Sequence, residues 1–244
     1  MTIQDDRELR IELACAFRWA ARLGMHEATA NHFSVATSAD GTQFLINPSG
    51  SHFSKIRASD LLLLDVDKPD SMEHPGTPDA TAWALHSAIH RRNRQSRCVL
   101  HVHSKYATTL ACLADSTLPP IDQNSMRFFE RVVIDDQFEG MGLGDEAERV
   151  SRLVGHHPIL LMGNHGVIVT GPSIAQAFDD LYYFERACET YITALSTGRP
   201  LRIAPASVAR RTCKQWTEDY AGFGDLHFSA LRRILDEEEP AYAR

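Results

Sequence analysis

The chain has no uninterrupted apolar run of membrane-spanning length, so nothing in it reads as a transmembrane helix. Its first residues, Met1 to Asp6, are acidic and carry no apolar signal core, which predicts a cytoplasmic protein. Positive charge is not in excess either: 25 Lys and Arg stand against 32 Asp and Glu, a net charge of −7. Neither nucleic acid nor membrane is therefore an expected partner, because no dominant basic field exists to hold phosphate. The arginines that do cluster, at Arg91, Arg92 and Arg94 and at Arg210 and Arg211, read as solvated helix faces. Cysteine is scarce. The five present (Cys15, Cys98, Cys112, Cys188 and Cys213) are scattered, odd in number and free of any Cys-x-x-Cys pair. That argues against a disulfide framework or a thiol redox motif and predicts reduced, mostly buried thiols.

What is present is an ordinary globular composition, 43% hydrophobic and 23% charged over 244 residues. No repeat or linker is visible, and α/β folds often reach this size unsplit. One domain over 1–244 is expected, with a helical C-terminal extension from about residue 205.

The stretch Cys98-Val99-Leu100-His101-Val102-His103 stands out. In a β-strand successive side chains alternate faces, so His101 and His103 point the same way. Two imidazoles on one rigid face make a pair of metal ligands. With 12 histidines in the chain such a triplet also arises readily by chance. The strand-like flanks and a further His165 in a similar strand-loop context favour the metal reading.

Elsewhere, Glu8 to Leu23 has helical spacing. Residues 31–36 and 43–46 read as a hairpin around Asp40-Gly41, followed by the tight loop Asn47-Pro48-Ser49-Gly50-Ser51. Leu61 to Asp65 reads as a short buried strand, and Lys68 to Gly76 as a polar surface loop. Thr77, Pro78 and Asp79 predict the start of a helix, with Thr77 as N-cap, that runs to about Arg92 and puts Ala82, His86 and His90 on one stripe. A helix from Ser104 to about Leu113 follows the His strand. The glycine-rich run from Phe138 to Gly144 lacks a phosphate-loop context and reads as an irregular loop. Asp145 is expected to cap a helix. Ile159 to Met162 and Val167 to Val169 read as strands, and Ser173 with Gln176 caps a helix to about Leu195. Helices are expected at 208–220 and 226–235. An early hairpin and loose alternation of strands and helices predict an α/β chain with a mixed or antiparallel sheet.

Four blocks together resemble the class II aldolase/adducin family, in its adducin-like bacterial branch: Asn31-His32-Phe33-Ser34, Ile46-Asn47-Pro48-Ser49-Gly50, Val99 to Ser104, and Asn164-His165-Gly166. The resemblance implies a three-layer α/β/α fold around a mostly antiparallel mixed sheet. It implies a divalent metal, zinc first with manganese or cobalt as alternatives, held by His101, His103 and His165. It also implies a homotetramer acting on a small-molecule substrate, through an enediolate stabilised by the metal as a C–C bond breaks.

Departures from the family pattern matter. The catalytic Glu of the sugar-phosphate aldolases falls on Ala82, four residues before His86, and their proton-donating tyrosine falls near Gln123. Two phosphate-holding serines fall on Ala80 and Thr81, beside the negative charge of Asp79. Asn31, Ser49, Gly50 and Thr81 match substrate-binding positions, against the alternative of merely fixing turns. His86 reads either as a core histidine or as a catalytic one. His32 and His90 are expected to be half-exposed polar residues, though either could replace the missing acid/base. Asp79 could be a base or a first-turn helix acid. Tyr242 lies in a tail that in some relatives reaches a neighbouring active site. The expected function is a metal-dependent lyase, decarboxylase or aldolase. The competing reading is a non-catalytic, adducin-like interaction protein.

Overall fold

The structure, a computed structural model, describes residues 6–68, 76–137, 140, 141 and 143–244. The expected loop at 68–76 falls largely, and that at 138–144 in part, outside the described residues. Seven strands form one sheet: β1 (His32–Ala36), β2 (Gln43–Ile46), β3 (Leu62–Asp65), β4 (Cys98–Val102), β5 (Val132–Asp135), β6 (Ile159–Met162) and β7 (Gly166–Gly171). Their spatial order is β3-β2-β1-β4-β7-β6-β5. Neighbours are antiparallel throughout, except β5 beside β6, which is parallel. The helices are α1 (Asp6–Arg22), α2 (Ala80–Arg92), α3 (Lys105–Ala111), α4 (Gln123–Arg127), α5 (Asp145–Val154), α6 (Ile174–Ser196), α7 (Ala206–Lys214) and α8 (Phe223–Glu238).

Strand alternation decides the layers. Phe33, Val35, Leu100, Val102, Val167 and Val169 face one side and share a core with Phe17 of α1, Leu110 of α3, Phe178 of α6 and Leu231 of α8. Val99, Leu160, Met162 and Ile168 face the other, onto Leu85 and Ile89 of α2 and Val150 and Val154 of α5. Each such side chain stabilises the fold by about 1.5–3 kcal/mol on burial. The result is the three-layer α/β/α arrangement around a mostly antiparallel mixed sheet. Among the described residues no helix is long and apolar enough to cross a membrane.

Several local expectations are corrected. The N-cap of α2 is Asp79, not Thr77, since its carboxylate accepts the Thr81 N–H at 2.8 Å. Asp145 is the first residue of α5 rather than its cap, which is Gly144. The helix expected at 208–220 is α7 followed by a π-helical turn at Gln215–Asp219. β3 lies at the sheet edge with Leu63 exposed, rather than being fully buried. β5 has no counterpart in the sequence reading, because its three apolar residues, Val132 to Ile134, fall short of the run of four or more that marks a buried strand. Of the cysteines, which are all free, four are buried and Cys112 is exposed.

Candidate metal and substrate site

Antiparallel neighbours run in opposite directions, so the start of β1, the end of β4 and the start of β7 meet at one end of the sheet. His32 opens β1 and stands opposite His101 of β4, which on its other side faces Ile168 of β7. His103 lies one residue past β4, and His165 lies in the turn between β6 and β7. In that turn the His165 N–H donates to the Met162 carbonyl at 3.1 Å. Asn164 adopts φ +58°, a left-handed conformation that asparagine tolerates better than most residues. A Cβ on Gly166 would sit 2.6 Å from the Val102 carbonyl oxygen and 2.9 Å from His103 Cδ2. Only glycine lets β7 start this close to β4, which gives the Asn164-His165-Gly166 block its physical meaning.

One ring nitrogen from each of His101, His103 and His165, the atoms that could hold a metal ion, lies within 4.8 Å of the other two. Partners behind two of the rings set their tautomers. The Val167 carbonyl can only accept, so His101 Nδ1 donates to it at 3.1 Å and Nε2 is left as a bare lone pair. His103 Nδ1 lies 2.7 Å from the Glu27 carboxylate, so that Nδ1 also carries the proton. The two Nε2 lone pairs then face each other at 3.1 Å, which is repulsive unless a cation lies against both. Nitrogens bound to a tetrahedral zinc at about 2.0–2.1 Å stand about 3.4 Å apart, so the donor set fits a divalent ion. Burial and the neighbouring histidines push His101 well down and His165 down to about 4, keeping both neutral, as ligands must be.

A cleft of about 550 Å³ opens onto these rings and is lined by Asn31, His32, Ser49, Gly50, Asp79, Thr81, Ala82 and Leu85, among others. Asn31 Oδ1 accepts the Glu27 N–H at 2.6 Å, whereas its buried Nδ2 has no hydrogen-bond partner among the described residues. An amide donor so placed suits a ligand oxygen. The Ser49 N–H is already given to the Thr77 carbonyl, and Gly50 takes φ +71°. The Thr81 hydroxyl donates to Asp79. Burial pushes the Asp79 carboxyl up, but the hydrogen bonds from Thr81 and Ala82 outweigh it and hold the group below the usual range. Asp79 is therefore an ionised helix cap rather than a poised base. Ala82 is 1% exposed and puts only a methyl group on this wall.

His86 is fully buried behind His32, and His32 and His90 are buried too, not half-exposed. A sheet position beneath a helix closes over them in a way that no local pattern shows. Tyr242 is also corrected. It is 0% exposed within its own chain, in the core shared by α1 and α8, and its hydroxyl donates to Asp236 at 2.6 Å. A side chain so placed cannot reach a neighbouring site. Glu27 was missed because it lies in a loop without periodicity. The only signal was a carboxylate four residues ahead of Asn31.

The model of the class II aldolase and adducin N-terminal domain matches residues 11–192. The chain belongs to that family. A Pseudomonas aeruginosa protein that bears only the aldolase class 2 name is 31% identical over 241 residues, 96% of this chain and 92% of that one. The decarboxylase NovR of Streptomyces niveus is 30% identical over 233 residues, 93% of this chain and 86% of NovR. Among solved structures, an aldolase II superfamily protein from Pseudomonas syringae superposes with a TM-score of 0.88 at 29% identity, covering 100% of this chain and 98% of that one. In this class II aldolase and adducin relative the helical C-terminal region is matched as well, beyond the reach of the family model.

Proposed function

We propose that the chain is a divalent-metal-dependent lyase that cleaves a C–C bond in a small hydroxy- or oxo-carboxylate, by decarboxylation in preference to retro-aldol cleavage. One observation carries the reading: the Nε2 lone pairs of His101 and His103, locked by Val167 and Glu27, face each other at 3.1 Å beside His165. A divalent cation held there, zinc first with manganese or cobalt as alternatives, would supply Lewis acidity to the oxygens beside the breaking bond.

The chain's own residues supply the rest. The unspent Nδ2 of Asn31 donates to a substrate carboxylate, and the Ser49–Gly50 loop lines the same cleft. Ionised Asp79 with Thr81 bound to it makes a poor neighbour for a phosphate dianion, which favours a carboxylate over a sugar phosphate. Ala82 removes the protein base from α2. Loss of CO₂ needs an electron sink more than a base, whereas aldol chemistry needs both. The decarboxylase name of NovR supports the same choice. Tetrameric assembly and a cytoplasmic location complete the proposal. An adducin-like interaction role gives no physical reason for two imidazole lone pairs to converge.

The test is metal analysis of the purified protein, then reconstitution with Zn²⁺, Mn²⁺ or Co²⁺ and a panel of oxo- and hydroxy-acids. CO₂ release from at least one acid is expected. One metal per chain with neither CO₂ nor aldol fragments from any acid would refute the lyase.

A further inference from the structure

Behind the cleft runs a buried polar line that the metal ligands do not use. His32 Nδ1 lies 2.7 Å from His86 Nε2. His86 Nδ1 is hydrogen-bonded to the Ser34 hydroxyl, which lies 2.7 Å from His90 Nε2. Ser34 and His86 are 0% exposed, His90 1% and His32 5%. His32 and Ser34 are i and i+2 on β1, and His86 and His90 are i and i+4 on α2, so one strand face and one helix stripe meet along their length. His32 lines the cleft with its ring 4.8 Å from that of His101. With Nδ1 committed to His86, Nε2 is the only polar atom it can turn to a ligand.

Counting donors leaves two arrangements. A neutral imidazole has one N–H and one lone pair. If His90 donates from Nε2, the Ser34 hydroxyl donates to His86 Nδ1, and His86 donates from Nε2 to His32 Nδ1. His32 then points an N–H into the cleft. In the reverse order His32 donates from Nδ1, His86 donates from Nδ1 to Ser34, and Ser34 donates to His90 Nε2. His32 then shows the cleft a lone pair. Any mixed order sets like against like or strands the hydroxyl proton in a buried site. Charging a ring is no escape, since all three rings are buried and a charge taken out of water is strongly disfavoured.

We propose that His90, Ser34, His86 and His32 form one hydrogen-bonded line that protonates all three imidazoles on the same nitrogen, and so fixes whether His32 meets a ligand as donor or acceptor. His32 is then the polar contact at the wall that Ala82 leaves bare, while Ser34, His86 and His90 are positioning residues acting through it. The inference rests on reading the cleft as the metal-dependent reaction site.

Nitrogen-15-labelled, Zn²⁺-loaded protein read by long-range proton–nitrogen correlation gives the tautomer of each ring. The expected result is three matching tautomers, all Nδ1–H or all Nε2–H, and unlike tautomers among the three overturn the line. Ser34→Ala cuts His90 from the other two. It is expected to turn the single His32 tautomer into a mixture without changing metal content, and Ser34→Thr is expected to restore it. An unchanged His32 signal in a folded Ser34→Ala protein overturns the control by His90. If Ser34→Ala does not fold, the wild-type pattern alone decides. Zinc content of the same samples separates the two readings: failure to bind zinc counts against the metal-dependent lyase, whereas mismatched tautomers count against the line.

Discussion

His101, His103 and His165 each bring one nitrogen to a common point, so removing any one should cost the site its ion. His101→Ala and His165→Ala are expected to fold, by circular dichroism, yet to retain little divalent metal by elemental analysis. Unchanged metal content would remove that residue from the site. Glu27 acts one step back, holding the proton on His103 Nδ1. Partners of this kind are worth about 10- to 100-fold in metal affinity, so Glu27→Gln should weaken binding by that factor in a competition titration with a chelating dye. Tyr242 gives the contrasting case. Tyr242→Phe loses the hydrogen bond to Asp236 and should cost about 1 kcal/mol in denaturant unfolding while leaving metal affinity untouched.

Strand pairing brings these side chains within reach of one another. Because β1, β4 and β7 alternate in direction, three segments far apart in sequence end at the same rim. The close approach of β7 to β4 depends on Gly166. Gly166→Ala forces a Cβ against the Val102 carbonyl and the His103 ring. It should destabilise the fold by about 1–3 kcal/mol and also loosen metal binding, because the ring it displaces is one of the three proposed ligands. A thermal melt together with a metal titration would show both effects, and a melt shift without loss of affinity would contradict the geometry. Much of this level was legible beforehand: the β1–β2 hairpin, β4 with His101 on it and His103 just past its end, and the Ser173 cap of α6. β5 and the π-helical turn were not, since three apolar residues between charges and a shift from i→i+4 to i→i+5 bonding leave no clear mark.

Across the whole molecule, the buried neutral imidazoles tie stability to pH. In the metal-free protein His90 is pushed down to about 3, mainly by burial and then by Arg97, and burial drives His32 and His86 down as well. An unfolded histidine titrates near 6.5, so below that pH the unfolded chain binds protons that the folded chain refuses. Stability therefore falls as pH falls from about 6.5, by up to about 1.4 kcal/mol per pH unit for each such histidine. For His90 the loss continues down to about pH 3. Unfolding measured in chelator between pH 7 and 4 should show the decline, and His90→Phe should make the slope shallower. An equal slope in the variant would mean that His90 is charged in the fold.

From residue order alone one could read an α/β chain, a histidine pair on a single strand face and, through four spaced blocks, its family. Those features are local or periodic, and alternation and spacing survive translation into a one-dimensional string. Burial of His32 and His90, the withdrawal of Tyr242 into the core, the hold of Glu27 on His103 and the proton line behind the cleft came only with packing. Each depends on which distant element covers a side chain or stands behind it, and no pattern of neighbours along the chain contains that.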